Sequence, residues 1–187
     1  MQEKTRCDWC LKDQTYKDYH DQEWGVPEHN DARLFELLNL EGAQAGLSWY
    51  TVLTKRENYR TVFDQWDAEK IVTYNAAKVE QLLLNPGIIR NRLKIQGVIT
   101  NAQVYLNIRE RYGSFDHYIW QFTNYQTLTN YWQQMAEVPA KTEVSDQMSK
   151  ALKKEGFKFV GSTICYAFMQ AVGMVDDHLA YCWRRNS

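Results

Sequence analysis

Apolar residues in this chain recur at the three- and four-residue spacing of helix faces, and the strict alternation of a half-buried strand is hard to find anywhere in it. Glycine and proline number only 9 and 3 among 187 residues, which favours long helices over a many-stranded sheet. From Asp31 to Ala45, Leu34, Phe35, Leu37, Leu38 and Leu40 follow an aspartate at the N-cap position. Ser48 caps a second predicted helix through about Phe63, and Asp67 a short one through Ile71 and Val72. Residues 77 to 84 form another, since Val79, Leu82 and Leu83 share a face. Asn85-Pro86-Gly87 is the strongest break, and a long helical pattern follows from about Arg90 to Tyr112. Further helices are predicted near 115–122, 145–155 and 161–174. Residues 123 to 144, rich in Asn, Gln and Thr, are expected to be loop with irregular turns. The pattern predicts an all-α fold, a single domain over residues 1–187.

An apolar fraction of 44% and an aromatic fraction of 14% exclude a disordered chain, which needs low hydrophobicity and high charge. No stretch approaches the roughly 18 uninterrupted apolar residues of a membrane span. Met1 to Arg6 is polar and lacks the apolar core of a signal peptide. A cytoplasmic protein is expected, in which Cys7, Cys10, Cys165 and Cys182 are thiols or metal ligands rather than disulfides. The net charge of −1 speaks against a bulk polyanion binder, yet it averages over a gradient. Residues 1 to 31 carry eight acids against four bases, whereas Pro86 to Leu106 carry Arg90, Arg92 and Lys94 and no acid. Lys150, Lys153, Lys154 and Lys158 form a second basic cluster, offset only by Glu155. Local patches of this kind can hold a few phosphates on a nearly neutral molecule, and solvated helix faces would look the same.

The run Leu82-Leu83-Leu84-Asn85-Pro86-Gly87-Ile88-Ile89, followed by Arg90, Arg92 and Lys94, resembles a helix-hairpin-helix element. Pro and Gly turn the chain, a helix starts, and its unpaired N–H groups can face a phosphate while nearby bases add charge without reading sequence. An ordinary helix–helix turn is the competing explanation. Ile89 stands where the usual Pro-Gly-Val-Gly has its second glycine, so the tightest form of the hairpin is not expected.

Leu40-Glu41-Gly42-Ala43-Gln44-Ala45-Gly46-Leu47-Ser48-Trp49 is the most informative stretch. A carboxylate among so many apolar neighbours is costly to bury unless it is paired or functional. The alternative, Glu41 in solvent at a helix C-terminus, is disfavoured by the macrodipole by only about 0.3–1 kcal/mol. Trp49 taken alone is more often core than stacking platform. Near the two ends lie Cys7 and His20, and His178 and Cys182. The last two are four apart, which on a helix directs both to one face, as two ligands of one ion require. Two Cys and two His make a candidate closed tetrahedral set, although a solvent histidine and a core cysteine explain the first pair equally simply. Cys10 and Cys165 are left as spare thiols.

Three segments together carry a family resemblance: Leu40 to Trp49; Tyr16-x-x-Tyr19-His20-Asp21-x-Glu23-Trp24-Gly25-Val26-Pro27; and Gly156-Phe157-Lys158-Phe159-Val160-Gly161-Ser162-Thr163-Ile164-Cys165-Tyr166. The chain resembles the type I 3-methyladenine DNA glycosylases over nearly its whole length, from Cys7 to Cys182. The resemblance implies a helical domain with a helix-hairpin-helix DNA-binding element and a zinc site joining the N- and C-terminal segments. It implies excision of 3-methyladenine from alkylated double-stranded DNA by a monomer without membrane contact, with the free base as product. Glu41 would accept hydrogen bonds from the damaged adenine, Trp49 would stack on it, and Trp9, Tyr16 and Tyr19 would wall the pocket. Methylation at N3 makes the base cationic, which suits an aromatic face and a carboxylate and makes it a good leaving group.

Ala45-Gly46-Leu47 would reach into the DNA stack, Leu47 as an apolar wedge, although a buried interhelix leucine is individually commoner. Gly87, Ile88, Arg90, Arg92 and Lys94 would contact the backbone. Cys7, His20, His178 and Cys182 match the family's zinc ligands residue for residue, in a structural site with no open position. Bifunctional relatives carry a nucleophilic lysine where this chain has Asn91, and an amide cannot form a Schiff base, so water is the expected nucleophile. Glu110 and Asp116 fall near the position of the wider superfamily's catalytic aspartate, which the type I family lacks, and neither is assigned a role. Ala167 stands where the family can carry a hydroxyl.

Three rivals stay open at this level. A non-catalytic hairpin module has no need of Glu41. A zinc-clamped helical protein with another partner leaves the hairpin bases idle. A glycosylase for a different lesion would share nearly everything.

Overall fold

The computed structural model describes residues 4–186; residues 1–3, part of the polar N-terminal stretch, and Ser187 lie outside the described residues. Helix α1 (Gln14–Gln22) begins where the Asp13 carboxylate accepts from the Tyr16 amide at 2.9 Å. Its sequence is polar apart from its tyrosines, so apolar periodicity gives it no signal, and the sequence reading does not anticipate it. Helix α2 (Asp31–Gln44) is the centre of the molecule, with every residue from Leu34 to Ala43 buried. Asn30 rather than Asp31 caps it, and the freed Asp31 carboxylate accepts from the amides of Phe115 and Asp116. Fully burying Leu34, Phe35, Leu38 and Leu40 contributes about 1.5–3 kcal/mol each. This holds the last turn of α2, and Glu41 on it, in one place.

The helix predicted from Ser48 to Phe63 is two helices, α3 (Trp49–Leu53) and α4 (Arg56–Val62). At the break, the Thr54 hydroxyl donates to the Thr51 carbonyl and competes with the helical pattern. Short α5 (Ala68–Ile71) and α6 (Ala76–Leu83) lead to the hairpin, and α7 (Arg92–Tyr112) starts two residues later than predicted because Asn91 is its N-cap. Helices α8 (Phe115–Trp120), α9 (Glu143–Glu155) and α10 (Ser162–Ala171) complete the set. Helix α2 packs against α3, α7, α8 and α10.

One feature departs from a purely helical expectation. Leu128–Thr129 (β1) and Val175–Asp176 (β2) pair in parallel, a two-residue ladder too short for alternation to reveal. The chain ends also meet: the Trp183 amide donates to the Thr5 carbonyl at 2.9 Å, and a small separate core of Cys7, Leu179 and Cys182 forms there. No helix of the described residues is long and apolar enough to cross a membrane.

Candidate active site

The C-terminal end of α2, helix α1, the start of α3 and helix α10 together line a cleft of about 190 Å³. Trp9, Tyr16, Tyr19, Trp24 and Trp49 are its aromatic walls, and Met135, Val138 and Ala167 extend the apolar lining. The rings brace one another: Trp9 lies 4.9 Å from Tyr16 and 5.0 Å from Trp24, and Tyr19 lies 5.5 Å from Trp49. Asp13 fixes the group twice, since it caps α1 and also accepts from the Tyr50 hydroxyl of α3. A separate void of about 20 Å³ between α2 and α7 has room for about one water and no ring.

Glu41 lines this cleft and is 3% exposed. Burial alone pushes its carboxyl up to about 8. Its Oε2 has no hydrogen-bond partner among the described residues, and the same holds for the buried Gln44 Oε1 and Trp49 Nε1. An orphaned buried polar atom costs about 1–3 kcal/mol, and three around one cleft point to a ligand that supplies the missing partners. Burial first, and the Glu41 charge second, raise the Tyr16 phenol to about 12 and that of Tyr19 further, so both stay protonated. The cleft therefore suits a flat, N–H-bearing ring, and a positively charged one above all.

Tyr16, Tyr19, His20 and Glu23 recur at helical spacing, so α1 delivers both cleft walls and a metal-ligand candidate. Cys7, His20 and Cys182 place their donor atoms within 4.8 Å of one another, all buried. His20 Nδ1 is held by Asp21 at 2.8 Å, and its Nε2 faces Cys182 Sγ at 3.5 Å. His178 Nδ1 is held by Asp176 at 2.8 Å, and its Nε2 is buried with no hydrogen-bond partner among the described residues. Its ring lies 5.0 Å from that of His20, and a Cβ at Gly25 would come within 2.7 Å of it. The hydrogen bond between the two sulfurs, more than anything else, lowers the Cys182 thiol and raises that of Cys7. Carboxylates on both histidine Nδ1 atoms are the usual outer support of metal-bound imidazoles, so this donor set could hold a metal ion. His178 and Cys182 do not lie on a helix: an extended stretch after β2 and a turn at Leu179–Cys182 bring them together. Cys10 stands apart, its thiol donating to the Cys7 carbonyl.

Gly46 takes φ +79°, open to glycine at no cost, and lifts Leu47 into solvent at 44% exposure. The sequence alternative of a buried interhelix Leu47 is thereby removed. The hairpin needs more correction. The Gly87 amide already donates to Asn85 Oδ1 at 2.8 Å, and the Ile89 amide donates to the Tyr59 hydroxyl. Ile88 is in the core. Arg92 pairs with Glu80 at 2.5 Å. Lys94 donates to the carbonyls of Ala43 and Ala45 at 2.9 and 2.7 Å, at the negative end of α2, so its ammonium is engaged away from any phosphate. Arg90 is exposed, and the first amides of α7, those of Arg92 and Leu93, have no intrahelical acceptor by position.

The family model of methyladenine glycosylases matches residues 9–185. The chain belongs to the methyladenine glycosylase family. Over 177 residues it is 51% identical to DNA-3-methyladenine glycosylase 1 of Escherichia coli (strain K12), covering 95% of each chain. It superposes on a crystal structure of 3-methyladenine DNA glycosylase I with a TM-score of 0.94 at 50% identity, covering 96% of this chain and 98% of that one. A variant of 3-methyladenine DNA glycosylase I in complex with 3-methyladenine is also similar, with a TM-score of 0.92 at 35% identity over 95% of this chain and 96% of that one.

In this family member the structure brings Glu41, Trp49, Tyr19, Tyr16 and Trp9 to one cleft. It places Cys7, His20 and Cys182 at one buried cluster beside it, with the His178 ring 5.0 Å from that of His20 and outside the tight donor set. Sequence reasoning missed Trp24, Gln44, Gln170 and Asp177. Trp24 and Gln44 lie inside motifs quoted for the family and could have been found. Asp177 had no signal. It is buried and accepts from Asn130, Trp132, Tyr166 and Gln170, so it ties the 123–144 loop to α10 at the edge of the cleft.

Proposed function

We propose that this chain is a monofunctional DNA glycosylase of base excision repair that extrudes 3-methyladenine from alkylated duplex DNA and hydrolyses its N-glycosidic bond. The observation that carries this reading is Glu41, a buried carboxylate with an unpartnered oxygen in an aromatic cleft of a methyladenine glycosylase family member. The alkylated base is a cation that offers N–H donors, so Glu41 accepts from it while Trp49 stacks on its face and Tyr19, Tyr16 and Trp9 enclose it. Neutral adenine lacks the charge that offsets the cost of ionising Glu41, which favours the lesion over the normal base.

Extrusion uses the exposed Leu47, lifted by Gly46, as a wedge in the base stack. The hairpin holds the backbone through Arg90 and the first amides of α7, and Gly87 serves the turn itself. In the chemical step the C1′–N9 electron pair leaves with the cationic base, which departs neutral. Water adds to the sugar cation at C1′ and releases its proton to solvent. No strong general acid is needed because the leaving group is already charged. Asn91 caps α7 through the Lys94 amide and offers no amine for a lyase step.

The four-residue cluster suits Zn²⁺ as a closed structural site. Two thiolates and two imidazoles are a donor set that would hold Zn²⁺, and the Nδ1 atoms of both imidazoles are already engaged by carboxylates. That ion would clamp the chain ends and supply no chemistry. Release of free 3-methyladenine from methylated duplex DNA tests the reading, comparing wild type with Glu41→Gln. Release that falls at least a hundredfold in the folded variant supports it, in line with about 10²–10³ for removing one electrostatic contact to a reacting group. No release by the wild type overturns it.

A further inference from the structure

The turn joining α9 to α10 is held in a way its length does not require. Phe159 takes φ +57°, a left-handed conformation unusual for an aromatic residue. Asn101, buried in α7, grips the preceding residue from both sides: its Oδ1 accepts from the Lys158 amide at 2.7 Å and its Nδ2 donates to the Lys158 carbonyl at 3.2 Å. Asn101 is in turn bonded to Asn39 of α2 at 2.9 Å. The Phe159 side chain fits only because Gly42 and Gly97 lack one, since a Cβ at either would come within 3.1 Å of it. Two helices, α2 and α7, therefore cooperate to fix one strained residue, and strain kept in this way concentrates at functional sites.

What the turn displays is Lys158. Its side chain is exposed, the neighbouring Glu155 carboxylate is engaged by Arg111 at 2.6 Å, and no acid pairs with Lys158 among the described residues. Its Cβ lies against Gly97, one turn along α7 from Lys94, which grips the carbonyls ahead of the exposed Leu47. Arg90, with no ion-pair partner among the described residues, lies just ahead of α7, and Gly97 stands five residues, about 7.5 Å of helix, beyond Arg92 where α7 begins. One strand of a duplex presents a charge about every 3.4 Å along its axis, so basic residues this far apart face different phosphates.

We infer that Lys158 is a second DNA-backbone contact, gripping a phosphate a few nucleotides from the one at the hairpin, so that the duplex is held at two points beside the wedge loop. This rests on the glycosylase reading above and adds a residue to it. The pinned backbone is what makes the contact useful: a lysine on a mobile loop would surrender more conformational freedom on binding.

The test is equilibrium binding to a short undamaged duplex across a salt series, for wild type, Lys158→Gln, Lys158→Arg and Lys141→Gln. Lys141 precedes α9 and gives the same charge change at the opposite end of that helix. Lys158→Gln should weaken binding several-fold and lower the slope of log affinity against log salt by about one. Lys158→Arg should keep the slope, Lys141→Gln should leave it unchanged, and free 3-methyladenine should bind all four proteins alike. An unchanged slope in Lys158→Gln overturns the contact, as does an equal change in Lys141→Gln, which would report net charge only. A wild type that neither binds duplex nor releases base overturns the glycosylase reading and this contact with it, and its appearance in the unmutated protein tells the two failures apart.

Discussion

Glu41 carries opposite demands in the empty and the occupied cleft, and pH separates them. Folding raises its carboxyl from an ordinary 4.5 to about 8, so the folded chain keeps a proton that the unfolded chain releases between those values. Stability from this group is therefore whole below pH 4.5 and declines as pH rises toward 8. Glu41→Gln preserves the shape and removes the titration, so its melting temperature should gain on the wild type's progressively across that window. A difference that stays flat with pH in thermal unfolding followed by circular dichroism would show that Glu41 holds no such proton. Activity runs the other way, because the cationic base needs the carboxylate. The kcat/KM of the wild type should climb with pH, reach half its plateau near 8 and level off above that if substrate capture requires ionised Glu41. A profile already flat from pH 6 upward would mean that the carboxylate is ionised in the free enzyme. The sequence reveals this residue through its setting, an acid behind five buried apolar positions. It says nothing of Asp177, whose four donors come from residues 7 to 47 positions away and meet only in the folded chain.

Elements were legible where apolar periodicity is strong, as in α2, α7 and α10, and not where polar residues build a helix for local reasons. Helix α1 is the plainest case: its inward side chains are Tyr16, Tyr19 and His20, which binary patterning scores as polar or ambiguous. The hairpin was legible as a turn, but its charges were not legible as contacts, because nothing in the spacing shows that Lys94 reaches back to α2. That reach has a consequence for how the hairpin works. Lys94 holds the carbonyls of Ala43 and Ala45 at the wedge loop, and on the other side Lys55 donates to the Pro86 carbonyl, so the hairpin is tied to the segments on both sides of that loop. Lys94→Met keeps the stem and removes the ammonium. Excision from duplex DNA should fall about tenfold, the scale of one charge-assisted hydrogen bond. Binding of free 3-methyladenine should stay within about twofold, near the noise of a single weak contact. The salt slope for undamaged duplex should not move, whereas a slope lowered by about one would make Lys94 a phosphate ligand instead.

At the scale of the molecule, the joining of the chain ends sits next to the cleft and shares its parts. Helix α1 carries Tyr16 and Tyr19 to the cleft and His20 to the Cys/His cluster, and Asp177 at the cleft edge precedes His178. Arg185 reinforces the same seam through Asp176 at 2.6 Å and through the carbonyl of His178 at 2.7 Å. Cysteine and histidine spacing was enough to suggest that the ends meet, but not the path by which they do, since His178 and Cys182 converge through a turn rather than a helix. Loss of a bound metal should therefore be felt in two places. A metal at about 100 times its Kd adds about 2.7 kcal/mol, which in a chain of this size shifts the melting temperature by about 5–11 °C. Chelation of the purified protein should lower the melting temperature by that order and weaken binding of free 3-methyladenine, because α1 loosens with the seam. The α2–α7 core contains none of the four ligands, so most helical circular dichroism should survive chelation at 25 °C. The variant His178→Ala should reproduce both losses without chelator and respond little to it. If chelation leaves the melting temperature and base binding where they were, the cluster is a hydrogen-bonded seam that holds the ends without an ion.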